Sequence, residues 1–211
     1  MIIAVDGPAA SGKGTLARRI AVHFQYAYLD TGKIYRAVGY RVLTDGGDPQ
    51  DVDAALQAAQ ALDPSTLDSP ELTGDVAAVA ASKVAALEPV RAALLDFQKR
   101  FAASPPKGAK GAVLDGRDIG TVVCPDADVK LFVTADVEER ARRRHKELLD
   151  KGEPSIYPRV LQALKDRDAR DSSRSAAPLK AAADAIVIDT TAMDPDEAFA
   201  TALDFIQQRT G

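Results

Sequence analysis

The chain has 211 residues, of which 46% are hydrophobic and 27% are charged, and its formal net charge is −4 at pH 7. The length is sufficient for one α/β domain, and the composition is typical of a globular protein rather than a disordered chain. The negative charge disfavours nucleic acid and anionic membranes as partners, and no apolar run approaches the roughly 18 residues of a membrane span.

The cysteine content and the N-terminal residues indicate the cellular compartment of the protein. A single cysteine, Cys124, cannot form an internal disulfide, which fits a reducing environment. The first residues carry no cationic segment with a long apolar core, so the sequence predicts no secretory signal. We therefore expect a cytoplasmic protein with no nucleic-acid or membrane partner. No feature indicates an obligate interface, so we expect a monomer.

The first element is the apolar run Ile2–Val5, predicted as a short β-strand, and a glycine-rich segment follows it directly. The segment has the spacing G-x-x-x-x-G-K, and Leu16–Phe24 then continues with helical apolar spacing. Glycines allow a tight loop whose backbone N–H groups converge on an anion at the start of a helix, with Lys13 reaching the outer phosphates. A turn without a nucleotide is the alternative, but the strand–loop–helix order favours a bound nucleoside triphosphate. The candidate triphosphate-binding residues are Gly7, Pro8, Ala9, Ala10, Ser11, Gly12, Lys13, Gly14 and Thr15.

Gly14 stands where the common motif has a Ser or Thr whose hydroxyl holds Mg²⁺, and Thr15 follows it. This G-K-G-T variant is more typical of small-molecule and nucleotide kinases than of GTPases or motor ATPases. We therefore expect no protein metal site: Mg²⁺ is held mainly by phosphates and water, and Thr15 bonds a phosphate.

Four further apolar segments are predicted as buried strands, and helical patterns lie between them. Strands that alternate with helices predict a parallel, doubly wound sheet of the α/β class, whose ligands lie beyond the carboxyl ends of the strands. Three more polar segments follow strands at that rim: Asp30-Thr31-Gly32, Asp115–Gly120 and Asp189-Thr190-Thr191. The predicted strands are Ala27–Leu29, Ala112–Leu114, Val129–Thr134 and Ala185–Ile188.

Residues 45–108 are predicted as an insertion in a core formed by residues 1–44 and 109–211. A turn-rich stretch with a short Ala-rich helix precedes a long helix over Thr73–Phe101 that we expect to be kinked at Pro89. In the core, Asp136 with Glu139 predicts the start of a helix, and Asp194-Pro195 predicts the start of the last one. Residues 152–175, which include a charged helix over 159–174, are predicted as a lid.

Several arginines suggest a second anion site. Arg36, Arg117 and the helical stripe Arg167, Arg170 and Arg174 all follow predicted strands or lie in the predicted lid. Each has a plainer explanation alone: a solvated arginine, an ordinary turn, or a salt-bridged surface helix. Their coincidence beside the phosphate loop favours an acceptor-phosphate site, because the planar guanidinium grips phosphate through two N–H groups. Arg140 and Arg142–Arg144, by contrast, are expected to form a solvated face.

Four blocks, in this order, resemble the bacterial cytidylate kinase family: Gly7–Thr15, Leu29–Arg36, Asp115–Val123 and Arg167–Leu179. The resemblance implies a P-loop kinase fold with a five-stranded parallel sheet, flanking helices, a monophosphate-binding insertion and a helical lid. It implies transfer of the γ-phosphoryl group of ATP to CMP or dCMP with Mg²⁺. By matching position, Thr31, Arg36, Arg117 and Arg174 would hold the acceptor phosphate, Arg167 and Asp171 the sugar, and Ser82, Arg91 and Asp118 the cytosine. Lys13, Arg117 and Arg174 would be the catalytic residues.

One segment departs from that family. The insertion usually carries a small β-strand element before its long helix, whereas the stretch Leu62–Leu72 is short and rich in Pro and Ser. We therefore expect a reduced helical hairpin. Two other functions stay open: another P-loop small-molecule kinase with an AMP, UMP or shikimate acceptor, and a non-catalytic ATP-binding sensor.

Overall fold

A parallel five-stranded sheet forms the centre of the molecule, in the order β2-β3-β1-β4-β5. The structure is a computed structural model and describes residues 1–210. The predicted strands are all present, and four extend by one or two residues at their carboxyl ends, to Asp6, Asp30, Gly116 and Asp189. The strands are β1 (Ile2–Asp6), β2 (Ala27–Asp30), β3 (Ala112–Gly116), β4 (Val129–Thr134) and β5 (Ile186–Asp189).

Both faces of the sheet are covered by helices, which confirms the α/β prediction. Alternate residues of a strand point to opposite faces, so Ile3 and Val5 pack on one side and Ala4 on the other. Helices α1 (Lys13–Phe24) and α8 (Pro195–Thr210) cover the first face. β1, which pairs with β3 and β4, is the buried central strand from which the glycine-rich loop emerges.

The predicted insertion is helical in its regular elements, and its residues form no strand in the described part of the chain. The prediction of one long helix over Thr73–Phe101 is wrong. The segment forms two helices separated by residues 85–87, and Pro89 lies in the first turn of the second, where its missing N–H costs no hydrogen bond. Helix α2 (Thr31–Thr44) precedes the insertion, whose α-helices are α3 (Val52–Gln60), α4 (Asp75–Val84) and α5 (Glu88–Ala103), with 3-10 helices at Pro64–Asp68 and Pro70–Thr73.

Helix α4 lies very close to α2. A Cβ atom at Gly39 of α2 would lie 2.7 Å from the backbone carbon of Ala80 in α4. No side chain fits in that space, so the glycine permits the close approach. This contact sets where α4, which carries Ser82, stands relative to the carboxyl end of the sheet.

The predicted lid contains helix α7 (Tyr157–Ser173), which packs against α6 (Val137–Asp150). Asp136 caps α6 as predicted, because its side chain accepts hydrogen bonds from the backbone N–H groups of Glu138 and Glu139. Leu164 of α7 packs with Ala141 and with Ala9 of the glycine-rich loop, which brings the predicted lid onto that loop. In residues 1–210, no helix has the length and apolar character needed to cross a membrane.

Candidate active site

The glycine-rich loop joins β1 to α1 in a conformation that requires glycine. Gly7 has φ +152°, and a Cβ atom there would lie 2.0 Å from the carbonyl oxygen of Val133. Gly12, with φ +87°, precedes α1 as its N-cap residue. The Nζ atom of Lys13 lies 3.4 Å from the Pro8 carbonyl oxygen, inside the loop. Burial lowers the pKa of Lys13 to about 8.

Two carboxylates stand beside Lys13 at the ends of neighbouring strands. Asp30 of β2 and Asp115 of β3 are partners in the strand register, and Asp115 Oδ1 lies 3.7 Å from Lys13 Nζ. A Cβ atom at position 14 would lie 3.0 Å from Asp115 Oδ2, closer than most Cβ contacts, so the carboxylate would have to shift by a few tenths of an ångström to admit a side chain there. This contact is a physical reason for Gly14 in the G-K-G-T variant.

A cavity of about 880 Å³ contains every residue that was predicted to bind the acceptor. It is also lined by Ala9, Ala10, Lys13 and Gly14 of the glycine-rich loop, so both predicted phosphate sites open into the same space. Other loop residues, including the exposed Thr15, are not part of its lining. The predicted acceptor residues in the lining are Thr31, Arg36, Ser82, Arg91, Arg117, Asp118, Arg167, Asp171 and Arg174.

Asp171 is the centre of an arginine cluster at the end of α7. Arg117 Nε donates to Asp171 Oδ2 at 3.1 Å, and Arg174 Nη2 lies 3.2 Å from Oδ1. Burial raises the pKa of Asp171, but the neighbouring guanidinium groups outweigh it and lower the pKa overall. Arg167 Nε lies 3.9 Å from Asp171 Oδ2 and has no hydrogen-bond partner among the described residues. Burial, followed by the charge of Arg117, lowers the pKa of Arg167 to about 10.

The predicted base-reading residues connect three segments of the chain. Asp118, just beyond β3, forms an ion pair with Arg91 of α5. Arg91 Nη1 also donates to the Ala85 carbonyl, which receives a second hydrogen bond from Arg174. Ser82 of α4 accepts a hydrogen bond from Arg170 of α7 at 3.3 Å. The insertion, the end of β3 and α7 therefore meet around one part of the cavity.

Thr31 and Arg36 both have protein partners here. Thr31 Oγ1 donates to the carbonyl oxygen of Asp115 at 2.8 Å. Arg36 Nη1 donates to the carbonyl oxygen of Leu72 at 2.8 Å, at the end of the insertion's second 3-10 helix. The other N–H groups of Arg36 can donate to a ligand. The Thr31 hydroxyl already donates its proton, so in this state it can only accept a hydrogen bond.

Asp6, which was not among the predicted site residues, holds the backbone of the loop after β3 in position. It is 5% exposed and accepts hydrogen bonds from the backbone N–H groups of Ile119 and Gly120, each at 2.8 Å. These residues open the π-helical turn Ile119–Val123, directly after Asp118. Burial raises the pKa of Asp6 to about 7 despite the two hydrogen bonds. The end of β1 therefore positions both the glycine-rich loop and the Asp118 backbone.

The prediction that Arg140 and Arg142–Arg144 form a solvated face of α6 is largely wrong. Arg142 is 60% exposed and pairs with surface glutamates, as predicted. Arg140 is 5% exposed, Arg143 donates to the Thr190 carbonyl at 2.6 Å, and Arg144 lines the cavity and pairs with Asp75. Arg140, Arg144 and the buried Leu148 share the spacing i, i+4, i+8. That spacing is the sequence signal that places these two arginines on the inward face of α6.

Comparisons with known proteins agree with these features. The family described as Cytidylate kinase matches residues 3–208 of the chain. A cytidylate kinase of Rhodospirillum rubrum is 59% identical over 210 residues, covering 100% of this chain and 99% of the relative. One from Paramagnetospirillum magneticum is 62% identical over 97% of each chain. A solved sugar kinase of Janibacter sp. HTCC2649, 14% identical with a TM-score of 0.52, covers 98% of this chain and 94% of its own and shares the fold. The chain belongs to the cytidylate kinase family.

Proposed function

We propose that the chain transfers the γ-phosphoryl group of ATP to CMP or dCMP, giving ADP and CDP or dCDP. The observation that carries this proposal is the shared cavity. Lys13 and the glycine-rich loop line one part of it, and the Asp171-centred arginines line another. Two phosphate sites in one space suit the transfer of a phosphoryl group between two anions.

The donor side is assigned to Gly7–Thr15. Its backbone N–H groups cradle the ATP phosphates at the start of α1, and the Lys13 ammonium neutralises the outer phosphates. A phosphate oxygen of the acceptor attacks the γ-phosphorus, the bond to the β–γ bridging oxygen breaks, and ADP leaves. An acceptor that is already ionised needs no strong base. Lys13, Arg117 and Arg174 are proposed as the catalytic residues because they offset the charge that spreads over the transferred group.

The acceptor side is assigned to the arginine cluster and the base-reading residues. Thr31, Arg36, Arg117 and Arg174 hold the acceptor phosphate, and Arg167 with Asp171 contacts the sugar. Cytosine carries an exocyclic amine where uracil has a carbonyl, so a carboxylate that accepts from this amine discriminates between the two bases. The residues proposed to read cytosine are Asp118 as the acceptor and Arg91 and Ser82 as donors.

The residues around Lys13 fit a magnesium ion that arrives with ATP. Asp30 and Asp115 are oxygen donors, the type that Mg²⁺ prefers, and this ion usually keeps several waters. Within residues 1–210, no group of three or more His, Cys, Asp or Glu side chains is arranged to hold a metal. We therefore propose that phosphate oxygens and water hold most of its coordination shell, with the two carboxylates bonding coordinating water. Bound there, Mg²⁺ neutralises phosphate charge.

Three further assignments belong to this proposal. Residues 152–175 act as a lid that excludes water, which would otherwise accept the phosphoryl group. The 45–108 insertion contributes Ser82 and Arg91 to the binding of the monophosphate, alongside the acceptor residues of the core. The protein acts as a monomer in the cytoplasm on small-molecule substrates, in keeping with its single cysteine and its negative net charge.

The test is a panel of acceptors. The protein is mixed with ATP, Mg²⁺ and one of CMP, dCMP, AMP, UMP or shikimate, and ADP is measured. We expect ADP with CMP and dCMP and much less with the others. Preference for another acceptor would identify a different small-molecule kinase, and no turnover with any acceptor would favour an ATP-binding sensor.

Two substitutions sharpen the assignment of the base. Asp118→Ala and Arg91→Ala should lower kcat/KM for CMP by at least about a hundredfold, because each leaves a buried charge without its partner. The ATP dissociation constant should change little. Arg100→Ala, an exposed arginine on the same helix as Arg91, is the matched control. Equal losses of CMP use and ATP binding would contradict the base-reading roles.

A further inference from the structure

Arg140 joins three segments that the proposed reaction must hold in register. Its Nε atom donates to the Ala135 carbonyl at the end of β4 at 2.9 Å. Its Nη1 atom donates to the Ala9 carbonyl in the glycine-rich loop at 3.2 Å. On α7, its two terminal nitrogens donate to both oxygens of Asp168, at 3.3 Å and 2.7 Å. The paired N–H···O contacts fix the orientation of the carboxylate as well as its distance.

The backbone of the loop explains why the Ala9 carbonyl needs holding. Ala10, the next residue, has φ +59°, a left-handed conformation that is unfavourable for a residue with a Cβ. Such a conformation persists only where its surroundings fix it. Arg140 supplies a hydrogen bond on the peptide immediately before Ala10. The same guanidinium therefore braces the loop and grips α7.

Asp168 lies on the helix that carries the arginines of the acceptor site. It follows Arg167 directly and precedes Asp171 by three positions. Neither Arg140 nor Asp168 is among the cavity-lining residues, so neither is placed to touch a substrate. Any effect of the pair on phosphoryl transfer must act through α7 and the loop.

We propose that Arg140 and Asp168 form a positioning pair that holds α7 at a fixed position relative to the glycine-rich loop. The arginines of α7 then keep one position relative to the donor phosphates bound by that loop. This inference rests on the proposed phosphoryl transfer. Because neither residue of the pair lines the cavity, its loss lowers kcat more than it weakens binding. A misplacement of about 1 Å can cost roughly a hundredfold in rate.

The test replaces Asp168 while leaving Arg140 two backbone acceptors. Asp168→Asn removes the charge at nearly constant shape, and Asp168→Glu restores it on a longer stem. We expect Asn to lower kcat at least about tenfold with ATP and CMP dissociation constants within about threefold of wild type. Glu should recover part of the loss. Asp196→Asn is the matched control, because Asp196 forms an exposed ion pair with Arg19 at 2.8 Å.

A second measurement is independent of turnover. Amide hydrogen exchange across Tyr157–Ser173 should become about tenfold faster in Asp168→Asn, while exchange in β1 stays unchanged. Arg140→Lys, with Arg142→Lys as its control, should give the same pattern and add little to Asp168→Asn in the double variant. Wild-type kcat in Asp168→Asn, or losses of binding and rate in equal proportion, would overturn the pairing. If wild type transfers nothing to CMP, the proposed function fails, and exchange in α7 still decides whether the pair holds the helix.

Discussion

Lys13 illustrates how one ionisation couples the protein to its donor nucleotide. Burial disfavours its charge and lowers its pKa to about 8, although Asp115, 3.7 Å from Nζ, favours the ammonium. In the proposed complex, phosphate anions surround Nζ and raise the pKa again. Above pH 8 the empty protein is therefore mostly neutral at Lys13, whereas the complex is charged there.

We predict that ATP binding at pH 8.5 takes up roughly three quarters of a proton, the neutral fraction for a pKa of about 8. Titration calorimetry in two buffers of different ionisation enthalpy measures this uptake. Lys13→Met removes the group and should abolish the buffer dependence. An uptake that persists in this variant would place the titrating group elsewhere.

Single residues also mark the limit of what the sequence can predict. The acceptor residues could be named because they lie in short motifs that follow strands, and all of them line one cavity. The spacing of Arg140 with Leu148 indicates an inward-facing side chain, but its hydrogen bond to Ala9, 131 positions away, depends on the fold. The partners of Asp6 are similarly distant, 113 and 114 positions along the chain. Local charge patterns carry no information about contacts of that range.

Among the elements, helices α2 and α4 are in close contact at Gly39 and Ala80. The space between Gly39 and Ala80 admits no side chain, and the nearest atoms of Ala80 include its backbone carbon. A backbone atom cannot move aside as a flexible side chain does. Any atom added at position 39 must therefore displace α4, and Ser82 with it.

Gly39→Ala should lower the free energy of unfolding by about 1–3 kcal/mol, the usual cost of overpacking. It should also raise KM for CMP while leaving the ATP dissociation constant nearly unchanged, since Gly39 and Ala80 lie outside α1 and its loop. Denaturant unfolding and steady-state kinetics measure the two effects. Gly74→Ala, at a glycine with φ −73° and open space around it, is the control. Unaltered stability in Gly39→Ala would contradict the close contact.

Strands were easier to predict than the helices of the insertion. Strands buried in a parallel sheet are continuous apolar runs, and the predicted ends lie within two residues of the observed ones. The break between α4 and α5 has no such signal, because Ala85, Ala86 and Leu87 are good helix formers. Proline at position 89 indicates a kink and a helix start equally well. Only tertiary packing distinguishes one kinked helix from two.

At the scale of the whole molecule, charge is unevenly distributed. The net charge is −4, yet arginines concentrate around the cavity, where burial and then the charge of Arg117 lower the pKa of Arg167 to about 10. Like charges held together without an anion oppose folding, and a bound phosphate relieves this repulsion. The arginines of the acceptor site therefore lower the folding stability of the protein when no ligand is bound.

Arg167→Met should raise the stability of the empty protein by about 0.5–2 kcal/mol, or by a few degrees in Tm, because it removes a partly buried cation that is crowded by other arginines and whose Nε has no hydrogen-bond partner among the described residues. The same variant should bind CMP more weakly. Thermal melts with and without CMP measure both effects. Arg159→Met, an exposed arginine near the start of α7, is the control. A destabilised Arg167→Met with unchanged CMP affinity would show that the cluster is structural.

The position of the insertion in the sheet has an evolutionary consequence. The chain leaves the sheet after β2, an edge strand, and returns in β3, its immediate neighbour. The segment between them can be lengthened, shortened or rebuilt at one border of the molecule while β1, β4 and β5 keep their pairing. Changes in that segment can alter the part of the acceptor site that Ser82 and Arg91 form, while the loop that holds the donor stays in place.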